Sequence, residues 1–316
     1  MPTAYYSHAD CRRHEMGEGH PECPQRLDAI ADHLLATGLD IALEHRDAPL
    51  VDARDIALAH TGAYLAELHE LLRQVAESGE PRAVDPDTVA CPHTWAAAQR
   101  AAGAAVAATD AVLDGAVDNA FCAVRPPGHH ATRDTAMGFC LFNSVAVAAL
   151  HALEAHGLQR VALADFDVHH GNGTQAIFAR EPRVLFASSH QMPLYPDSGH
   201  AHERGVGNIV NAPLPPGAAG DAFRHAWMTQ LLPALEAFAP QLLLVSAGFD
   251  AHRRDPLAQL ELEADDYAWL TRQLAAIAQR HAGGRIVSLL EGGYDLQALR
   301  ECAVAHVAAL AAITPA

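Results

Sequence analysis

The chain is expected to form a single α/β domain, a mostly parallel central sheet with helices on both faces. Three observations lead there. Short apolar runs alternate with helical stretches, the pattern of crossover units joining parallel strands. Two of those runs, Val161–Phe166 and Leu242–Ala247, are almost continuously apolar, as strands covered on both faces should be. No internal repeat and no long Pro/Gly/Ser linker interrupts the 316 residues, so the domain is expected to cover 1–316.

The elements follow in order. Arg26–Ala36 and Trp95–Leu113 are helical stretches, and the short apolar run Ala120–Val124 is the first strand. Ser144–His156 is a helix leading into the strand Val161–Phe166, and Val184–Ser188 is the next strand. Asp221–Phe238 is a helix before the strand Leu242–Ala247, Asp265–His281 a helix before the strand Ile286–Leu290, and Leu296–Ala312 the closing helix. The Ala/Val-rich stretches Val145–Ala155 and Cys302–Ile313 contain His and are too short to span a bilayer, so they read as core helices.

Composition excludes several functions. Half the chain is apolar and 19% is charged, which supplies a core and argues against disorder. A net charge of -17 argues against a nucleic-acid partner, since phosphate binding needs a basic surface. The six cysteines show no CxxC spacing, which suits reduced thiols in a cytoplasm. Met1 to His8 carries no signal-peptide pattern, and no membrane association is expected. Monomer and homo-oligomer both remain open.

Polar residues cluster where the strands end: Arg125 to His130, Asp165 to Gly173, Ser188 to His190, Gly248 to Asp250, and Glu291 to Tyr294. Ligands of open parallel sheets bind beyond the carboxyl ends of the strands, so these clusters form one site. Asp165, Asp167 and His169 alternate along an extended segment and project to one side. Two carboxylates at the end of a buried strand need compensation, and a metal ion is the usual answer. Asp167 and His169 supply two ligands and Asp250 can supply a third, which leaves open positions on zinc and marks a catalytic site. Two anionic ligands acidify bound water less than three imidazoles do, so a separate base is needed. The pair His129-His130, after a Pro-Pro-Gly turn, offers one. Tyr294, after Gly292-Gly293, could donate to a developing oxyanion or simply pack at a turn. Phe139 reads equally as a slot wall or a core residue.

Together the blocks Arg125-Pro-Pro-Gly-His-His-Ala131, Gly138-Phe-Cys-Leu-Phe-Asn143, Asp165 to Gly173, Ser246-Ala-Gly-Phe-Asp-Ala251, Asp255-Pro-Leu257 and Glu291-Gly-Gly-Tyr294 resemble the histone deacetylase family. The likeness is greatest to its class II-like bacterial members, the histone deacetylase-like amidohydrolases. It runs in order from Gly19-His-Pro-Glu22 to Tyr294. The resemblance implies the arginase/deacetylase fold with about eight strands, and zinc-dependent hydrolysis of an acyl-lysine or similar small acyl-amide by metal-activated water, without a covalent intermediate. Carried over by motif, Asp167, His169 and Asp250 hold zinc. His130 is the general base and acid, His129 its electrostatic partner, and Tyr294 polarises the scissile carbonyl. Phe139 and Tyr195 flank the acyl channel, and the carbonyl of Gly138 accepts the substrate N–H. A potassium ion is expected at Asp165, Ser188 and the backbone carbonyls of Asp167, His169 and Ser189.

Two positions depart from parts of that family. Class I members carry an acidic residue where Asn172 stands, so His130 is expected to have an uncharged and less basifying partner. Polyamine-selective relatives carry Glu where Leu257 stands, and an apolar gate gives a polyamine's distal amine nothing to pair with. The loop containing His20 and Pro21, with the segment Glu77–Asp85, is expected to rim the pocket. Alternative readings are an acetylpolyamine amidohydrolase, an arginase-like enzyme with two manganese ions, and a catalytically silent acyl-lysine binding protein. No second run of metal-binding Asp residues accompanies the first, which weighs against the arginase-like reading.

Overall fold

A computed structural model describes residues 2–312. Its centre is an eight-stranded sheet in the order β2-β1-β5-β10-β9-β6-β7-β8, and every pairing within it is parallel. The strands are β1 (Thr3–Ser7), β2 (Leu43–Asp47), β5 (Asn119–Cys122), β6 (Val161–Asp165), β7 (Val184–Gln191), β8 (Ile209–Leu214), β9 (Leu242–Ala247) and β10 (Ile286–Leu290). A separate antiparallel ribbon joins β3 (Arg82–Ala83) to β4 (Val89–Ala90). The helices are α1 (Ala9–Arg13), α2 (Gln25–Ala36), α3 (Ala53–Ala59), α4 (Gly62–Ser78), α5 (Thr94–Leu113), α6 (Ser144–Glu154), α7 (Asn172–Phe178), α8 (Gly220–Ala226), α9 (Leu232–Phe238), α10 (Ala264–His281) and α11 (Leu296–Leu310).

Every residue of β6, β7, β9 and β10 is buried, so helices cover both faces of the sheet centre. The covering helices pack in two groups, α1, α3, α5 and α6 in one and α2, α10 and α11 in the other. Small residues permit the close approach. Gly103 of α5 lies so near the chain at Pro49 that a Cβ there would meet the Pro49 carbonyl oxygen at 2.0 Å. No helix among the described residues is long and apolar enough to cross a membrane.

The five strands expected from sequence are the contiguous centre of the sheet, β5-β10-β9-β6-β7. Sequence reading missed β1, β2 and β8. The two edge strands carry polar residues that an edge tolerates, Glu44, Arg46 and Asp47 in β2 and Asn211 and Pro213 in β8. It also missed α1, α3, α4 and α7. Helix α4 had a legible frame, with the Thr61 hydroxyl capping the N–H of Tyr64 and Gly79 closing the C-terminus in the left-handed region. The single helix expected over Asp221–Phe238 is instead α8, a π turn at Trp227–Leu231, and α9. Pro233 explains the break: it has no N–H to continue the ladder, and its ring pushes the preceding turn open. The last helix stops at Leu310, and Ile313 lies outside the described residues.

Candidate active site and metal centre

Four of the five polar clusters lie at or just past the carboxyl ends of adjacent strands, and the fifth, Ser188 to His190, lies in the second half of β7. The turn after β5 carries His129 and His130 and is fixed by Glu291 from the end of β10. The Glu291 carboxylate accepts the N–H of Gly128 at 2.7 Å, the N–H of His129 at 3.1 Å and the Ser246 hydroxyl at 3.1 Å. The two imidazoles stand 4.1 Å apart between centroids, each held from behind. His129 Nδ1 meets Asp165 Oδ2 at 3.0 Å, and His130 Nδ1 meets Asn172 Oδ1 at 2.8 Å. The partners set different charge preferences. Burial opposes charge on both rings, but Asp167, Asp165 and Glu291 outweigh it at His129 and hold its pKa well above the ordinary value. At His130 burial, reinforced by the neighbouring imidazoles, holds the pKa well below it.

Asp167, His169 and Asp250 converge, with donor atoms all within 4.8 Å of one another. His169 Nδ1 lies 3.2 Å from Asp167 Oδ1 and 3.1 Å from Asp250 Oδ2. Backbone amides hold the other carboxylate oxygens: Gly292 donates to Asp167 Oδ2 at 2.8 Å and Val168 to Asp250 Oδ1 at 2.9 Å. One oxygen of each carboxylate is thereby aimed at the same point as the imidazole. A side chain at 292 would fill this cradle, since a Cβ there would lie 2.0 Å from Asp250 Oδ2. Two buried carboxylates sharing one point demand positive charge; they raise the His169 pKa to about 10 against the effect of burial. Two carboxylate oxygens and one imidazole nitrogen fit a zinc ion and leave coordination positions open.

Beside this cluster a cavity of about 260 Å3 is lined by His130, His169, Tyr294, Gly138, Phe139, Tyr195 and Leu257, together with Asp87 and Leu194. Gly138 (φ 57°) and Phe139 (φ 68°) are the two central residues of a tight turn closed by reciprocal bonds between Met137 and Cys140. Left-handed backbone at a bulky residue is strained by roughly 1–3 kcal/mol and here presents the Phe139 ring to the cavity. The Thr88 hydroxyl, accepting the N–H of Phe139 at 2.9 Å, helps to hold it. The Gly138 carbonyl accepts the Cys140 thiol at 3.2 Å. Tyr195 packs edge-on against His130 at 5.3 Å, and Phe139 against Tyr294 at 5.9 Å. Burial and the nearby Asp250 push the Tyr294 pKa well up, so its phenol keeps its proton. Asp255 ties the gate to this loop, accepting the N–H of Leu257 at 3.0 Å and that of Tyr294 at 2.8 Å.

Sequence reading missed a buried ionic lock beneath the Tyr294 loop. Glu22 pairs with Arg125 through both carboxylate oxygens and with Arg26 Nη1 at 3.1 Å. Arg26 donates to the carbonyls of Gly293 at 2.7 Å and Glu291 at 2.5 Å, and its guanidinium lies 5.0 Å from the centre of the Tyr294 ring. Glu22 and Arg125 stood within motifs, but nothing in their spacing announced a contact across 103 positions.

The remaining expected residues divide. Asp165 and Ser188 are register partners on β6 and β7, and Ser189 follows on β7, so this part of the potassium set does gather at one strand end. The Ser188 hydroxyl bonds His190 Nδ1 at 2.9 Å, and the Ser189 hydroxyl accepts the Trp227 indole N–H at 3.0 Å. His20 does not line the slot; it stands behind Phe139 with ring centroids 4.9 Å apart and lines a neighbouring cavity. Pro21 lines neither cavity. No residue of Glu77–Asp85 lines the slot either: Glu77 pairs with Arg73 on α4, and the acidic residue that reaches the cavity is Asp87.

Residues 20–310 match the model of the histone deacetylase domain family. The chain is similar to a histone deacetylase-like amidohydrolase of Pseudomonas aeruginosa, 41% identical over 94% of this chain and 78% of that protein. It is also similar to a probable deacetylase of Archaeoglobus fulgidus, 38% identical over 94% of this chain and 82% of that one. Polyamine deacetylase HDAC10 of Homo sapiens is 38% identical over 95% of this chain and 47% of its own length. A crystal structure of the HDA15 HD domain superposes with a TM-score of 0.92 at 34% identity, covering all of this chain and 92% of that one.

Proposed function

The chain belongs to the histone deacetylase family, and from that premise we propose that it is a zinc-dependent deacylase of acyl-lysine side chains or similar small acyl-amides. The observation that carries this reading is the convergence of Asp167 Oδ1, His169 Nδ1 and Asp250 Oδ2 next to a slot lined by His130 and Tyr294. When bound there, zinc supplies Lewis acidity toward the scissile carbonyl and acidifies a water molecule. His130 does the proton work. Its Nδ1–H is committed to Asn172 Oδ1, which leaves the Nε2 lone pair to take a proton from the attacking water and deliver it to the leaving amine. His129, anchored on Asp165, supplies fixed positive charge beside it. Tyr294 donates its phenolic hydrogen to the developing oxyanion. Phe139 and Tyr195 exclude water and flank the aliphatic chain, and the Gly138 carbonyl accepts the substrate N–H. Asp165, Ser188 and the carbonyls of Asp167, His169 and Ser189 are the proposed potassium ligands. Six free thiols support a reducing, cytoplasmic setting.

A second substrate class is favoured by one feature of the slot. Asp87 puts a carboxylate on its wall that would attract a cationic amine, and one relative is named a polyamine deacetylase. Against it stands Leu257, which offers no charge at the gate. The test assays an acetyl-lysine peptide and N-acetylputrescine side by side, with and without chelator. Because the chain contains no lysine, the enzyme contributes no side-chain amine to an amine-detecting assay. Chelator-sensitive release from the peptide in preference to the diamine is expected. Preference for the diamine selects the polyamine reading, and no release from either substrate removes the enzymatic one.

A further inference from the structure

Outside the slot, a second group of metal-ligating side chains gathers where three helices meet. His151 lies near the end of α6, His156 just beyond that helix, and Asp110 in the last turn of α5. His151 Nε2 and His156 Nε2 each approach the same atom, Asp110 Oδ1, at 2.7 Å. Behind His151, its Nδ1 meets Asp55 Oδ1 from the first turn of α3 at 2.9 Å. We propose that Asp110, His151 and His156 form a second metal site for a divalent ion of borderline softness, such as zinc or nickel.

A neutral imidazole has one N–H and one lone pair, yet His151 faces a carboxylate oxygen at each ring nitrogen. Both contacts are attractive only if the ring carries a second proton or a metal ion stands at one of its nitrogens. An ion at Nε2 takes the place of that second proton: Nδ1–H still donates to Asp55, which fixes tautomer and ring orientation as carboxylates behind metal-bound histidines do. His156 supplies a second imidazole nitrogen and Asp110 the carboxylate, a donor set suited to zinc, nickel or copper. The ligands of a tetrahedral zinc lie roughly 3.3 Å apart, so Asp110 needs to withdraw by about half an ångström. It is free to do so, because its side chain is 43% exposed and its charged partners in the structure are these two histidines. Ions have access, since His156 is 24% exposed as well. A site here joins α5 to the end of α6 directly and to α3 through Asp55, so it clasps helices on the outside of the sheet. None of its residues lines the slot, and it has no part in turnover.

The test is metal stoichiometry of the full chain, equilibrated against buffered zinc near pH 7.5, for wild type, His156→Gln and Asp110→Asn. The quantity read is the difference between wild type and variant, so the result does not depend on whether Asp167, His169 and Asp250 are loaded. Wild type should hold one more ion per chain than either variant. Zinc should raise the Tm of wild type above that of His156→Gln, while acetyl-lysine turnover of the two stays equal. His156 lies outside any helix, so its variant keeps the fold, and circular dichroism checks this. Equal stoichiometry in all three proteins would overturn the proposal. So would a second ion that persists in both variants but is lost on replacing the stacked surface pair His200 and His202.

Discussion

His130 Nδ1 lies 2.8 Å from Asn172 Oδ1, while the adjacent His129 is held by a carboxylate, Asp165. One imidazole thus has an anionic partner and the other a neutral one. The neutral amide fixes the tautomer of His130 and favours its protonated form less than an anion would, while burial and the neighbouring imidazoles of His129 and His169 keep the ring below the ordinary imidazole pKa. That suits a base that must be unprotonated at neutral pH.

Replacing Asn172 by Asp should therefore move the acidic limb of the pH–rate profile upward. A nearby anion favours the imidazolium, so a higher pH is needed to free the base. Profiles of the two proteins at matched metal occupancy read this directly. A limb that stays put or moves down assigns it to another group.

Tyr294→Phe should keep the fold and the metal content and lower kcat by roughly two to three powers of ten, the usual loss of one oxyanion donor. Retention of near-normal turnover on acetyl-lysine would reduce Tyr294 to a packing role against Phe139 and Arg26.

Leu257 sets a prediction of specificity. The wild type should prefer acyl-lysine peptide to acetylated polyamines, and Leu257→Glu should shift kcat/KM toward the cationic substrates, since a charge pair is stronger in a partly dry slot than in water. The ratio of the two kcat/KM values, measured on both proteins, decides it. An unchanged ratio would assign cation recognition to Asp87.

Glu22→Gln tests the buried lock. Removing one partner leaves Arg125 and Arg26 buried without their counter-charge, a loss of about 3–5 kcal/mol read by denaturant unfolding. The pH dependence has a definite sign. Burial alone would raise the Glu22 pKa, but Arg125 and Arg26 outweigh it and lower it from 4.5 to about 2. The lowered value means that its contribution is complete above about pH 4.5 and is lost as pH falls toward 2. The variant should lack this part of the acid sensitivity.

The sheet centre and the chemistry were legible for one reason: strands buried on both faces read as apolar runs, and a cluster of His, Asp, Ser, Glu or Tyr lies at the end of each. Asp167, His169, Asp250, His130 and Tyr294 meet in space because parallel strands deliver all their carboxyl ends to one side. The edges were not legible, since β2 and β8 carry charge, Asn and Pro like loops. The lock of Glu22, Arg26 and Arg125 was equally hidden, because charge pairs 103 positions apart leave no period in a sequence. Loop shape was the other limit: the expected rim missed Asp87 by two residues, and Pro21 does not line the slot.

The most direct test of the central claim follows turnover of an acetyl-lysine peptide as zinc is returned to chelated protein, in a His156→Gln background that removes the second site. Turnover should be lost on chelation, recover in proportion to added zinc, and break at about one equivalent per chain. Asp250→Asn should show no such recovery. Full turnover by the metal-free protein, or a break at two equivalents with both ions required, would contradict a single zinc held by Asp167, His169 and Asp250.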